Sequence, residues 1–190
     1  MKRLMIVLCM LTLAGCVAMA KVETGDHAIG ERLAVKLDGA WNYLEAPGLG
    51  PARTWTMEGL PVDQLLLYSG LKDGELVHAS SGGGKQKDFA FRANMQPDEI
   101  VAMFEGMFTR DGSSFKLVKL EPSNFGGLRG FRFEYALTRK VDNVMLSGVG
   151  WSVVSKGELF AIIYMAPRLG FFARHAPQVE KIAMSAKVKE

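Results

Sequence analysis

Only two cysteines occur in the 190 residues, Cys9 and Cys16. Past residue 16 the chain has no thiol for a disulfide, a thiolate metal site or nucleophilic attack. Histidine is nearly as scarce. His27, His78 and His175 stand far apart, with no second histidine at a helical ligand spacing. They read as three surface histidines, and no metal or cofactor is expected. The longest apolar run, Leu4 to Leu13, is too short to span a bilayer. Net charge is only +3, which is no nucleic-acid signature.

Catalytic motifs are missing as well. The glycine-rich run Ser80 to Lys85 is not a phosphate loop, because Ala79 and Gln86 stand where Gly and Ser or Thr are needed. Ser69-Gly70-Leu71-Lys72 and Ser113-Ser114-Phe115-Lys116 match Ser-x-x-Lys, but the Ser-Asp-Asn and Lys-Thr-Gly partners are absent, as is Gly-x-Ser-x-Gly. Asp98 and Glu99 suit a helix start. Glu58 and Asp63 flank Pro61 and are a poor prospect as an acid–base pair.

What the chain does have begins at its first residue. Lys2 and Arg3 precede the apolar run, which ends in Leu13-Ala14-Gly15-Cys16. A basic start, a short apolar stretch and small residues make a secretory signal. The last four residues resemble the bacterial lipobox at every position. The resemblance implies cleavage before Cys16, a diacylglyceryl group on its thiol and an acyl group, such as palmitate, on its amine. One chain anchors only marginally, at about 0.8 kcal/mol per buried methylene, so stable attachment takes two or more. Val17, in place of the Asp that retains such proteins at the inner membrane, favours the outer membrane, with the domain facing the periplasm. Loss of residues 1–15 removes two positive charges and brings the net charge to +1. Residues 16–31 read as a tether, and 32–190 as one domain.

The domain is organised around Gly130 to Met165. Phe131, Phe133, Tyr135 and Leu137 alternate with smaller or polar residues, and Val149, Trp151 and Val153 alternate with Gly148, Gly150 and Ser152. Period-two alternation predicts strands with one buried face. Leu159 to Met165 is apolar on both faces, as a central strand must be. Strands are also predicted at 32–37, 64–69, 88–92 and 115–120. Residues 41–44 read as a strand or a turn. Gly59 and Pro61 exclude a regular helix or inner strand across 55–63.

Pro97 to Thr109 is the clearest helix. Pro97 suits the first turn, and Ile100, Met103, Phe104, Met107 and Phe108 form one apolar stripe. A last helix is expected from Pro177, with Val179, Ile182, Ala183 and Ala186 inward. Before it, Arg168, Phe171, Phe172, Arg174 and His175 interleave aromatic and basic residues. Packing on the sheet is the commoner outcome for such a connector. As a candidate partner contact we single out Arg168, Phe171, Phe172 and Arg174.

The helix at 97–108, the 130–165 meander and the closing run Val179 to Ser185 together resemble the PsbP-like fold, known from a photosystem accessory protein and a Ran-binding protein. The resemblance covers most of residues 85–188. It implies an α+β domain, an antiparallel β-sheet with helices packed on it. Members of that fold mostly act as accessory or assembly factors. The Trp55 to Asp63 segment also resembles an uncharacterised group of bacterial lipoproteins. Neither resemblance carries a functional residue across. The expected function is a non-enzymatic accessory or binding module for an envelope protein or small ligand; the alternative is a small periplasmic hydrolase.

Overall fold

The computed structural model describes residues 19–44, 50–78 and 89–189. Cys16, Val17, the signal segment and the Ser80–Lys85 run lie outside them. Strands β1 (Met19–Val22), β2 (Gly25–Ile29), β3 (Leu33–Leu37), β4 (Trp41–Leu44), β5 (Arg53–Thr56) and β6 (Gln64–Leu71) come first. Helix α1 (Pro97–Thr109) is followed by β7 (Ser114–Phe125), β8 (Leu128–Thr138), β9 (Met145–Ser155) and β10 (Glu158–Pro167). Helix α2 (Phe171–Ser185) and β11 (Lys187–Val188) close the chain.

Eight strands form one sheet in the order β1-β4-β5-β6-β10-β9-β8-β7, and three form a second in the order β11-β3-β2. Every pairing is antiparallel. The doubly apolar run predicted to be central is β10, flanked by β6 and β9 and buried from Leu159 to Ala166. Lys156 and Gly157, both at positive φ, make the two-residue turn that joins β9 to β10.

Helix α1 begins as its sequence demands, with Pro97 in the first turn and Glu99 accepting the Gln96 backbone N–H at 2.7 Å. Its stripe packs on one face of the large sheet, over Leu66, Tyr68, Phe133, Tyr135 and Ile163. Helix α2 and the small sheet cover the opposite face, where Trp41, Trp55, Trp151 and Tyr164 lie. The molecule is thus α+β, with a sheet between two covering layers.

The glycine side of β9 is not a solvent face. Phe133 pairs with Gly150 across the ladder, and Tyr135 with Gly148. A Cβ at either glycine would collide with the partner's ring. The glycines make a slot in which an aromatic ladder lies flat. Phe133 and Tyr135 stack at 5.9 Å, and Phe115 and Phe108 stack on Tyr135 at 4.8 and 5.5 Å.

Several expectations are corrected. Residues 19–31, read as tether, carry β1 and β2, and Ile29 is in the core. Strand β2 forms a hairpin with the adjacent β3, and β1 pairs with β4, far enough along the chain that local pattern does not show it. Strand β5 is an inner strand that reaches Thr56, so the exclusion by Gly59 and Pro61 applies only beyond that residue. The strand expected at 88–92 is a single bridge, Leu76 to Ala90. Phe91 is buried there through backbone bonds to Glu75 and Gly74 rather than through a ladder. Strand β7 runs on through Pro122, which an edge strand tolerates. Lys116, Lys119 and a bulge near Val118 further discourage pairing along that edge. Helix α2 starts at Phe171, with Pro177 inside it.

Candidate functional site

Three strands and a helix bring the functional candidates together where β6 begins and β10 ends. The β5–β6 turn, residues 57–63, is held by Asp63, which is 1% exposed. Its carboxylate accepts the Thr56 hydroxyl at 2.5 Å and the Glu58 backbone N–H at 2.8 Å, and both its oxygens lie near the Met57 N–H. The Tyr164 hydroxyl stands 3.5 Å away. Burial, and then the neighbouring Asp63 charge, push the Tyr164 phenol up. With its lone pairs taken by the turn, Asp63 is a clamp on local structure rather than a base.

Glu58 turns outward from the same turn. It accepts from His175 Nε2 at 2.8 Å and Arg174 at 3.3 Å, tying the turn to α2. The His175 hydrogen bond holds the Glu58 carboxyl below its usual range, helped by Arg174. At 7% exposure His175 is not the surface histidine expected, because α2 begins earlier and lays it on the sheet. Its ring bonds to Glu58 and, among the described residues, to no serine, threonine or cysteine. His27 packs edge-on against Trp55 at 6.1 Å.

The four connector residues divide by direction. Phe171 and Phe172 are half-buried against the core, and Phe172 stacks on Tyr164 at 5.9 Å. Arg174 lies over the Phe171 ring at 5.4 Å. Arg168 is exposed next to Leu169. Phe171, Phe172 and Arg174 belong to the start of α2, and Arg168 to the turn before it.

A second concavity lies on the other face of the sheet, beside the C-terminal end of α1. It is a cleft of about 380 Å³. Leu66 and Tyr68 of β6, Leu137 of β8, Leu146 of β9, Met165 of β10 and Met107 of α1 make its floor. Thr54, Gln64, His78, Arg110, Asp111, Ser113 and Arg139 make its rim. The Tyr68 hydroxyl donates to the Val77 carbonyl at 2.9 Å, and burial raises its pKa. Arg139 grips both oxygens of Asp142, at 2.9 and 2.6 Å, and donates to the Pro61 carbonyl at 2.6 Å. Asp111 accepts the Ser113 N–H at 2.9 Å, which keeps its carboxyl low. Arg110 donates to His78 Nδ1 at 3.0 Å. Among the described residues no three His, Cys, Asp or Glu side chains converge as metal ligands.

Compared with solved structures, the chain matches cyanobacterial PsbP (CyanoP) from Synechocystis sp. PCC 6803 at a TM-score of 0.59, over 92% of this chain and 95% of that one, with 11% identity. The fold is PsbP-like. Two looser likenesses are to LpqN of Mycobacterium tuberculosis, described as involved in cell envelope biogenesis, and to PA94 of Pseudomonas aeruginosa, a protein of unknown function. The first has a TM-score of 0.49 and 10% identity over 90% of this chain and 92% of that one. The second has 0.42 and 15% over 86% and 95%. No protein-family model and no curated relative matches the sequence.

Within this PsbP-like frame the cleft is the feature that reading the sequence missed. Its floor comes from residues spread between positions 66 and 165, each of which reads locally as core. The one signal was Arg110, a lone cation directly after the apolar stripe of α1.

Proposed function

We propose that the protein is a lipoprotein held by acylated Cys16, on the periplasmic side of the outer membrane, and that it binds a small ligand or an envelope protein without transforming it. The observation that carries the binding reading is the cleft beside α1: an apolar floor with a few placed polar groups is the ordinary form of a ligand site. The anchor rests on the lipobox behind its basic and apolar start. No helix among the described residues is long and apolar enough to cross a membrane.

Cross-linking and pull-down from intact envelopes, with and without a cleft-filling substitution, tests the binding reading. Capture that depends on an open cleft supports it; capture indifferent to the cleft removes it. Labelled palmitate should enter the wild type and not Cys16→Ser. The second reading, a small periplasmic hydrolase, draws on the Glu58–His175 pair. It displaces the first if purified protein turns over a peptidoglycan, ester or peptide substrate and folded His175→Gln does not.

A further inference from the structure

We infer that the cleft beside α1 takes a medium-chain fatty-acyl carboxylate, with its head at Arg110 and its chain along Leu66, Leu137, Leu146 and Met165. This rests on the binding reading above and names its ligand class. Size comes first. A cleft of about 380 Å³ equals roughly a dozen water volumes, so an occupant of about a dozen heavy atoms fills it.

The floor sets the body of the ligand. Its four aliphatic residues offer no polar group, and the one hydroxyl that reaches it, on Tyr68, is spent on the Val77 carbonyl. A polar body would lose its water without compensation there, so the body is apolar.

The rim sets the head. Arg139 gives three of its N–H groups to Asp142 and the Pro61 carbonyl, and the Gln64 amide gives one to the Leu60 carbonyl at 3.1 Å. Asp111 accepts the Ser113 N–H and offsets part of the charge of the adjacent Arg110. Arg110 gives one N–H to His78, and a guanidinium has five to give. The rim therefore offers donors on a cation, which suits an acceptor head and opposes an ammonium. The last carbonyls of α1 add partial negative charge nearby. That weakens the site for any anion, and for a doubly charged phosphate more than for a single carboxylate.

The test is calorimetric titration of the purified chain with octanoate, decanoate and dodecanoate, and with decanol, decyl phosphate and decylammonium. Affinity should rise about fourfold per methylene until the cleft is full, from about 0.8 kcal/mol for each one buried. Decanoate should bind more tightly than decyl phosphate or decylammonium. Arg110→Gln, at an exposed helix end, should weaken decanoate about tenfold and leave decanol unchanged. Leu146→Trp should abolish binding of both, and its urea midpoint, lowered by overpacking, reads whether the domain still folds. If that variant fails to fold, Arg110→Gln and the chain-length series decide. Equal binding of decylammonium, tighter binding of the phosphate, equal loss of acid and alcohol in Arg110→Gln, or no chain-length dependence each overturns the inference. If no fatty acid binds while envelope capture still depends on the cleft, the binding reading survives and this ligand class falls.

Discussion

Replacing Gly150 by alanine should destabilise the domain, and replacing Phe133 as well should reverse the sign. Alanine in a strand normally helps, because it narrows the unfolded ensemble by about 0.4–1 kcal/mol relative to glycine. Gly150 has no positive φ to forbid it. What opposes it is the Phe133 ring, which occupies the space a Cβ needs. The ring is fully buried and hemmed by Phe104 at 6.2 Å, Phe131 at 6.2 Å and Tyr135 at 5.9 Å, so it cannot swing aside. Overpacking of this kind costs about 1–3 kcal/mol, so Gly150→Ala should cost roughly 1–2 kcal/mol net. In a Phe133→Leu background the same change should gain a few tenths to 1 kcal/mol, and the cost of Phe133→Leu itself cancels in the cycle. Urea unfolding followed by tryptophan fluorescence reads it cleanly, because Trp41, Trp55 and Trp151 all lie on the opposite face. A coupling below about 0.5 kcal/mol, or a Gly150→Ala midpoint at or above wild type, would refute the aromatic-slot account of β9.

Trp151→Ala should cost about 3–5 kcal/mol, enough to unfold a marginal domain; an unmoved urea midpoint would mean the β9 register is wrong. Asp63→Ala leaves the Thr56 hydroxyl and two backbone N–H groups without their acceptor, at about 2–4 kcal/mol in all. Thermal melts should show it, and a loss under 1 kcal/mol would argue against the clamp. Because the Glu58 carboxyl is depressed by His175 and Arg174, its contribution is present at and above the ordinary carboxylate range and lost as pH falls through the folded value. The stability gap between wild type and Glu58→Gln should accordingly narrow in acid; a gap that widens there would place the pair's effect elsewhere.

Much of the fold is legible in the sequence because its strongest elements are locally encoded. The run from Leu159 to Met165 announces a central strand by being apolar on both faces. Helix α1 announces itself by Pro97 and a stripe that needs no tertiary context. Strand β1 does not, because Met19–Val22 is mostly exposed and becomes a strand only through its ladder to β4. The start of α2 was hidden by Pro177, which reads as a first turn yet sits inside the helix, tolerated because the aromatic residues ahead of it pack on the sheet. His175 followed that error, since its burial depends on the helix already having begun. The cleft was illegible for another reason. Leu66, Leu137, Leu146 and Met165 differ from core residues only in lying under a cleft among the described residues, and no local pattern records that.

Under the proposed lipid anchor, the ladder that incorporates β1 also limits how far this domain could stand from a bilayer. Ala20 lies opposite Tyr43, Tyr43 opposite Trp55, and Trp55 opposite Leu65. Three strand spacings of about 4.8 Å put Ala20 roughly 14 Å across the sheet from Leu65, the neighbour of Leu66 in the cleft floor. Ala20 is four positions beyond Cys16, and an extended chain covers at most about 3.6 Å per residue. With a lipid on Cys16 the leash is short, and the cleft stays within about 30 Å of the lipid surface. A domain so anchored would sample what desorbs from the membrane before it samples the compartment beyond.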